Sequence, residues 1–381
     1  MDPLPILRDL VSVNSVNPGL VAGAPGEGAA AEVCAVAMRR AGLDVVVQPV
    51  QPGRPNVVGV LEGRLPGPSI MLCGHLDTVG VDGMTEPFVP RLENGRLFGR
   101  GAQDMKGGVA AMVAAAGALA AAGFARGRLI VAAVVDEEHG SIGAEALVRE
   151  WKSDVAIITE PTDLAVAVAH KGFAWFEIVT RGRAAHGSRP REGRDAILRM
   201  GRVLGALERL DRALQSREAV PLEGTASLHA SMVSGGLELS SYPDRCALQM
   251  ERRTVSGESD RDVRREIDDI LHALRQDDPE FDADARLVAY RPAYRLDVAH
   301  ALVGALVEGV AAAGRSRTPV GMSFWTDAAI LGLAGIPTAL FGPGGAGLHS
   351  LVEYVNVDDV YVCRDVLADV VTRWTTSDRA L

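Results

Sequence analysis

Five short segments carry histidine or carboxylate side chains, and each of these side chains is expected at the end of a separate apolar strand. They are CGHLDTV at 73–79, GRGAQDMKGG at 99–108, VVDEEHG at 134–140, IITEPTD at 157–163 and GLHSLVEY at 347–354. Imidazole nitrogens and carboxylate oxygens form the ligand set that zinc and similar divalent ions prefer in proteins. Open α/β sheets place their sites at the carboxyl ends of strands. The number of such side chains suits two metal ions that share one carboxylate.

Each segment also has a purely structural explanation when it is considered alone. His75 and Asp77 alternate and would share one face of an extended segment, but a polar loop explains the same pair. Asp104, just before a predicted helix, could be a helix cap. The acidic run 136–138 could be a solvated turn, although neighbouring carboxylates repel one another unless cations neutralise them. Five such coincidences in one chain are far rarer than any one, so together they favour a metal site.

Composition and charge exclude several other classes of protein. The chain has 381 residues, of which 48% are hydrophobic and 23% are charged, as expected for a folded protein of about two domains. A formal net charge of −10 opposes binding to nucleic acid. A dinucleotide fingerprint is absent from the glycine-rich segments, and GPGGAG at 342–347 lacks the Lys-Ser/Thr of a phosphate loop. Nucleotide and nucleic-acid partners are therefore not expected.

The cysteines and the N-terminal segment favour a cytoplasmic protein. The four cysteines are scattered and form no C-x-x-C motif, which argues against a disulfide framework and a thiolate zinc site. MDPLPILRDL lacks the basic start and apolar run of a signal peptide. Residues 107–124 are uncharged but consist mainly of Ala and Gly, so a helix buried between protein layers explains them better than a membrane span. No membrane partner is expected.

The elements that must position these segments follow two successive patterns. In the first 160 residues, apolar runs that predict strands alternate with helical stretches, which is typical of an α/β sheet. The strands are predicted at 43–47, 56–60, 70–73 and 129–135, and the helices at 29–41 and 107–122. A helix at 299–313, a strand at 338–341 and a last helix at 358–374 return to this pattern.

The middle of the chain predicts a separate βαββαβ domain. Its strands are predicted at 174–180, 226–233, 245–254 and 285–290, and its helices at 195–210 and 260–274. The simplest organisation is an α/β domain formed by 1–171 and 290–381 and interrupted by a small α+β insertion at 172–289.

Taken together, GHLDTV, GRGAQDMKGG, DEEHGSIGA, ITEPTD and GPGGAGLHSLVEYV resemble the M20 family of dinuclear zinc hydrolases. That family includes acetylornithine deacetylase, succinyl-diaminopimelate desuccinylase, aminoacylase and glutamate carboxypeptidase. The similarity extends from about residue 5 to residue 375. It implies a dinuclear zinc exopeptidase-like catalytic domain with an inserted ferredoxin-like α+β domain that acts as a lid and pairs two chains in a homodimer.

The resemblance also implies a role for each residue of the predicted centre. His75 and Glu160 would bind one metal ion, Glu138 and His349 would bind the other, and Asp104 would bridge them. Asp77 would orient His75. Glu137 would be the general base, although the residues alone do not separate it from its neighbour Glu138. The two ions would be divalent, with Zn²⁺ favoured and Co²⁺ as an alternative.

Three residues of the insertion resemble substrate-contacting positions of the family. RAAHGSRP resembles its histidine segment, so His186 is expected to reach a catalytic site in the same or the partner subunit; a surface loop histidine is the alternative. Arg253 resembles the family's carboxylate-binding arginine, although Glu251 and Ser256 replace the usual Asp and Pro nearby. Ser240 stands where the family commonly has asparagine.

The implied reaction is hydrolysis of the amide bond of an N-acyl amino acid by a metal-activated water, as in acetylornithine deacetylase. In the family, Glu rather than Asp at the position of Glu160 accompanies deacylase and carboxypeptidase members, and HKGFAWFEI resembles the deacetylases most, so a deacylase is favoured over a dipeptidase. A carboxypeptidase or dipeptidase acting on small peptides is the first alternative. A catalytically silent metal-dependent binding protein is less favoured, because every expected ligand is present. A phosphoesterase is not favoured, because the motifs contain no basic cluster that would hold a phosphate.

Overall fold

The structure, a computed structural model, describes residues 1–376. Its helices are α1 (Pro3–Val11), α2 (Gly28–Arg40), α3 (Gly107–Ala122), α4 (Ile142–Glu150), α5 (Ala196–Gln215), α6 (Asp260–Asp277), α7 (Ala301–Ala312), α8 (Ala328–Leu333) and α9 (Val357–Thr376). Its strands are β1 (Asp44–Gln51), β2 (Arg54–Glu62), β3 (Leu65–His75), β4 (Arg91–Glu93), β5 (Arg96–Phe98), β6 (Arg126–Val134), β7 (Val155–Ile158), β8 (Ala167–His170), β9 (Gly172–Arg181), β10 (Ser227–Gly235), β11 (Arg245–Thr254), β12 (Asp282–Arg291), β13 (Tyr294–Arg295), β14 (Val320–Met322), β15 (Thr338–Leu340), β16 (Gly345–Ala346) and β17 (Tyr354–Asn356).

The chain divides into two compact units. The first comprises Met1–Val168, Leu296–Val320 and the chain from Thr326 onward, and the second comprises Ala169–Arg295 with Gly321–Trp325. The insertion predicted at 172–289 lies inside the second unit. The α/β domain was predicted to extend to residue 381, and residues 377–381 lie outside the described part of the chain.

The main sheet of the first unit runs in the order β1-β2-β6-β3-β7-β15, and β8 pairs antiparallel with β15. Strands β6, β3, β7 and β15 are neighbours and parallel, so their carboxyl ends meet at one edge. Every residue of β7 is buried, as continuous apolar strands of a parallel sheet require. The expected α/β sheet is confirmed, and this edge is where its polar side chains gather.

Helix α3 is the apolar segment that was predicted to be buried between layers. Ala102–Ala122 is long and apolar enough to cross a membrane, and it is the one such helix in the described chain. Its residues are buried on nearly every side, because it packs against α1, α2, α9 and strands of the main sheet. A Cβ at Gly108 would lie 1.9 Å from the carbonyl oxygen of Thr159, so a glycine is required for this close approach. The helix has the surroundings of a core helix.

A small antiparallel sheet in the order β16-β17-β5-β4 completes the first unit. Strand β5 leads into a tight turn at residues 102–106, and the connection between β16 and β17 carries His349. Neither these short strands nor helices α1, α4 and α8 were predicted. Short elements carry few periodic positions, so hydrophobic spacing does not reveal them.

The second unit has the predicted βαββαβ order, with β9, α5, β10, β11, α6 and β12 in succession. Its antiparallel sheet runs β10-β11-β9-β12. Residues of β9 alternate in burial, and Ala174, Phe176 and Ile178 point into a core shared with α5 and α6. Ser259 and Asp262 form a capping box at the start of α6. The α+β prediction for this region is confirmed.

Candidate metal centre

The parallel strands deliver three of the predicted ligands to one edge of the main sheet. His75 is the last residue of β3, Glu138 follows β6, and Glu160 follows β7. His349 comes after β15, in the connection between β16 and β17. The prediction that every candidate follows an apolar strand is wrong for Asp104, which lies in the turn between β5 and α3. Gly101 has a φ of 79° at the start of that turn, a conformation that glycine adopts without strain.

Two triads of side chains share the carboxylate of Asp104. The first is His75, Asp104 and Glu160, and the second is Asp104, Glu138 and His349, with the donor atoms of each within 4.8 Å of one another. Oδ1 of Asp104 lies 3.2 Å from Nε2 of His75, and Oδ2 lies 3.3 Å from Nε2 of His349. The two oxygens therefore face different triads, as a bridging carboxylate requires.

The other contacts complete the two triads. Nε2 of His75 lies 3.8 Å from Oε1 of Glu160, and Nε2 of His349 lies 3.1 Å from Oε2 of Glu138. The imidazole of His75 is buried, whereas about half of the His349 side chain is exposed. His349 has a φ of 57°, which is uncommon for a residue with a side chain.

The electrostatics of the cluster fit bound cations. Burial raises the pKa of Glu138 to about 7 and, with the charge of His75 opposing it, raises the pKa of Glu160 well above its usual value. Oε1 of Glu138 is buried and has no hydrogen-bond partner among residues 1–376. Buried carboxylates that lack partners carry a desolvation cost that a cation would remove. Two imidazoles and three carboxylates form a set that suits zinc, cobalt or manganese.

The pKa values of the two imidazoles are raised as well, but by their carboxylate neighbours and against the effect of burial. Burial alone would lower the pKa of His75, but its hydrogen bond with Asp104 and the charge of Glu160 raise it well above its usual value. Hydrogen bonds with Asp104 and Glu138 raise the pKa of His349 to about 10. A proton on each imidazole thus occupies the place that a metal ion would take, since metal ligation and protonation compete for the same nitrogen.

Glu137 belongs to neither triad within the described chain. Burial and the negative charge of Glu160 raise the pKa of Glu137 well above its usual value. Its main-chain nitrogen and that of Glu138 each donate a hydrogen bond of 3.1 Å to the carboxylate of Asp77. The acidic turn at residues 136–138 therefore places the candidate ligand Glu138 next to Glu137, a carboxylate whose pKa is raised.

Asp77 differs from its predicted role. Its carboxylate oxygen lies 3.6 Å from Nδ1 of His75, which is too long for a hydrogen bond. The main-chain carbonyl of Asp77 is the partner of Nδ1, at 3.0 Å. The prediction that the Asp77 side chain orients His75 is therefore corrected: the backbone holds the imidazole, and the carboxylate holds the acidic turn.

A buried polar network behind Asp77 was not predicted. Nδ2 of Asn17 donates to Asp77 at 2.7 Å and to Asp136 at 3.0 Å. The guanidinium of Arg54 pairs with Asp136 and, in a bidentate contact, with Glu27. Asp136 thus has a structural partner and belongs to neither triad in the described chain. The sequence gives no sign of these pairings because the partners lie far apart along the chain.

The three predicted substrate-contacting residues lie in the second unit, and each is accessible. Exposed His186 accepts a hydrogen bond at Nδ1 from the main-chain nitrogen of Ser188, which leaves Nε2 to carry the proton. Nε of Arg253 donates to Glu251 at 2.6 Å, and its guanidinium lies 5.7 Å from the Phe173 ring centroid. The Ser240 hydroxyl lies 3.3 Å from Glu238 on an exposed loop.

Comparisons with known proteins agree with these motifs. Residues 71–373 match the profile of peptidase family M20/M25/M40. Acetylornithine deacetylase of Myxococcus xanthus is 32% identical over 328 residues, covering 84% of each chain. N-formyl-4-amino-5-aminomethyl-2-methylpyrimidine deformylase of Bacillus subtilis is 28% identical over 358 residues, covering 85% of this chain and 84% of its own.

A solved structure shows the same fold over nearly the whole length. A tripeptidase from Staphylococcus aureus superposes with a TM-score of 0.82 at 20% identity, covering 97% of this chain and 98% of its own. The resemblance inferred from the five motifs is thereby confirmed. The chain belongs to peptidase family M20/M25/M40 and is a hydrolase of amide bonds.

Proposed function

We propose that this protein is a dinuclear, zinc-dependent deacylase that hydrolyses the amide bond of an N-acyl amino acid. The observation that carries the proposal is the pair of triads that share Asp104, with one carboxylate oxygen facing each. His75 and Glu160 would hold one ion, Glu138 and His349 would hold the other, and Asp104 would bridge them. Divalent ions bound there would supply Lewis acidity that polarises a carbonyl group and makes a water molecule more acidic.

The protein side chains supply the proton transfers. Glu137 takes the proton from the attacking water and returns it to the leaving amine, acting first as base and then as acid. Its burial and raised pKa suit a group that must hold a proton between these two steps. Asp77 fixes the main chain of Glu137, so the base stays in place while it is alternately charged and neutral.

Residues of the second unit complete the proposal. His186 would donate a hydrogen bond from Nε2 to the developing oxyanion, a contact worth roughly 3 kcal/mol. The tautomer that its contact with Ser188 favours supports this role. Arg253 would bind the substrate carboxylate through its guanidinium, and Ser240, shorter than asparagine, would leave room for a bulkier substrate.

The substrate class is argued from the relatives. The Myxococcus xanthus relative is an acetylornithine deacetylase and the Bacillus subtilis relative is a deformylase, so both names describe removal of a small acyl group from nitrogen. The fold is shared with a tripeptidase, which keeps hydrolysis of small peptides as the alternative.

The four cysteines are buried and unpaired, which supports a reducing, cytoplasmic location.

A homodimer formed through the second unit is part of the proposal. Strand β10 is a sheet edge with exposed Met232 and Val233, and Leu237 just beyond it is 97% exposed. The opposite edge, β12, instead presents Asp282, Asp284 and other charged side chains. Long apolar edges are normally covered, whereas charged edges resist pairing. A second copy paired along β10 would cover the apolar edge and extend the sheet.

Metal removal and a substrate panel test the proposed function. The purified protein is treated with a chelator and then reloaded with Zn²⁺, Co²⁺, or Mg²⁺ as a control. Activity is measured on N-acetylornithine, other N-acetylated and N-formylated amines, and di- and tripeptides. We expect activity on acylated amino acids that chelation abolishes and Zn²⁺ or Co²⁺ restores. Full activity in metal-free protein, or turnover of peptides alone, would contradict the proposal.

A further inference from the structure

Another buried carboxylate, that of Glu353, binds the turn that carries Asp104. Glu353 comes four residues after His349, and its side chain is inaccessible to solvent. Oε1 accepts hydrogen bonds from the main-chain nitrogens of Gln103 and Asp104, at 2.9 and 3.1 Å. Oε2 accepts from the main-chain nitrogen of Gly101 at 3.0 Å. One carboxylate thus binds three N–H groups of the turn that carries Asp104.

Arg100 compensates the charge of Glu353, contacts the loop of His349 and extends the contact to a third segment. Its Nη1 donates to Oε2 of Glu353 at 2.6 Å. Its Nη2 donates to the carbonyl of Ser350 at 3.0 Å and to the carbonyl of Gly80 at 3.1 Å. Ser350 is next to His349 in sequence, and Gly80 directly follows the segment 73–79 that carries His75. The ion pair therefore joins three segments that carry candidate ligands.

The two triads differ in how their ligands are held in place. His75 and Glu160 lie at or directly after the ends of β3 and β7, which are central strands of the main sheet. His349 lies on a connection between two short strands, where no long element fixes it. The triad of Asp104, Glu138 and His349 thus depends on the Arg100–Glu353 pair more than the triad of His75, Asp104 and Glu160.

We propose that Arg100 and Glu353 are positioning residues that set the affinity of the Asp104–Glu138–His349 triad for its metal ion. They touch neither ion nor substrate; they act through the main chain of Asp104 and the loop of His349. Groups that orient metal ligands typically change metal affinity by about 10- to 100-fold when they are mutated. The inference rests on the proposed dinuclear centre.

Glu353→Gln is the main test. Glutamine keeps the size of the side chain, but its amide places a donor against N–H groups and removes the charge that Arg100 requires. Metal-free protein is titrated with Co²⁺ by calorimetry and by visible absorption, which report on binding without any need for turnover. We expect one of the two dissociation constants to rise by about 10- to 100-fold, while the other changes less than about threefold.

A matched control and a second variant keep the test decisive. Glu223→Gln removes another buried carboxylate that is paired with an arginine, Arg295, in the second unit, and it should leave both Co²⁺ constants unchanged. Arg100→Lys keeps the positive charge but cannot reach all three acceptors, so it should weaken the same single ion even if Glu353→Gln fails to fold.

The outcomes separate this inference from the proposed function. If the wild-type chain binds two Co²⁺ ions and Glu353→Gln and Arg100→Lys bind them with unchanged constants, the positioning role is wrong and the dinuclear centre stands. An equal loss at both sites would also overturn the inference, because it would show general damage to the centre. A wild-type chain that binds no divalent ion would instead refute the proposed function itself.

Discussion

The carboxylate of Asp77 holds the main-chain nitrogen of Glu137 at 3.1 Å and leaves His75 to a backbone carbonyl. Asp77→Asn replaces one acceptor oxygen by a donor that faces the N–H groups of the acidic turn. We expect kcat to fall by about 10- to 100-fold, as for the loss of a supporting contact. Metal at the triad of His75, Asp104 and Glu160 should be retained, because the carbonyl contact of His75 survives.

Asp211→Asn is the matched control for Asp77→Asn. Asp211 also accepts a main-chain hydrogen bond through its carboxylate, from Leu228 at 2.9 Å, but it lies in the second unit. This variant should keep wild-type kcat. If the Asp77→Asn variant lost the metal ion of the His75 triad, the side chain of Asp77 would orient the imidazole of His75.

Glu137 and Glu138 are adjacent, and their glutamine variants should behave differently. Glu137→Gln cannot accept a proton, so kcat should fall at least about 100-fold while metal content stays near that of the wild type. Glu138→Gln removes a charged ligand from the second triad and should lose one ion. Elemental analysis and kinetics on both variants make the comparison. If both variants lost the same amount of metal, Glu137 would be a metal ligand as well, and its assignment as the general base would be wrong.

Three of the metal candidates could be found in the sequence because they follow apolar runs that end at the same sheet edge. Glu160 illustrates this: β7 is a short, fully buried run, and the residues directly after it must emerge at the edge. Asp104 could be found only through its motif, since it lies in a turn and not after a strand.

The supporting contacts could not be predicted in the same way. Arg100 and Glu353 both stand within motifs that were singled out, yet they are 253 residues apart and no local pattern pairs them. The side chain of Asp77 was assigned to His75, its neighbour at i−2, because a sequence shows near neighbours and not the distant backbone of Glu137. Tertiary packing decides which of several polar partners a buried carboxylate meets.

The apolar edge of β10 predicts a dimer that a single charge should disrupt. Met232→Asp places a carboxylate on the edge strand, where it would have to be buried between two copies. We expect sedimentation equilibrium to show a dimer for the wild type and a monomer for this variant. Leu333→Asp is the control, because Leu333 is 76% exposed at the end of α8 in the first unit. A monomeric wild-type chain would contradict the dimer.

Arg253 should distinguish substrates that carry a free carboxylate from those that do not. Arg253→Ala should reduce kcat/KM for N-acyl amino acids more than for their amides, by about 1.5 to 3 kcal/mol for a lost charge-assisted hydrogen bond. Arg286→Ala removes an exposed arginine, paired with Glu177, from the same sheet and serves as the control. An equal effect on acids and amides would make Arg253 structural.

His170 should make the stability of the second unit depend on pH. The side chain is fully buried, its Nδ1 contacts the carbonyl of Lys171 at 2.9 Å, and Nε2 lacks a partner within the described residues. Burial lowers the pKa of His170 to about 4. An unfolded chain would protonate it at about pH 6.5. Between these values the unfolded state binds the extra proton, so acid favours unfolding.

Lowering the pH from about 7 to about 5 should therefore cost roughly 2 kcal/mol of unfolding free energy through this one group. His170→Gln cannot titrate, so its unfolding free energy in urea should fall less over the same range. His229→Gln removes an exposed histidine of the same unit and is the control for a general change in charge. Comparing the pH slope of each variant with that of the wild type cancels the contribution of the metal centre. If His170→Gln keeps the full wild-type slope, the buried imidazole is not the group that acid protonates on unfolding.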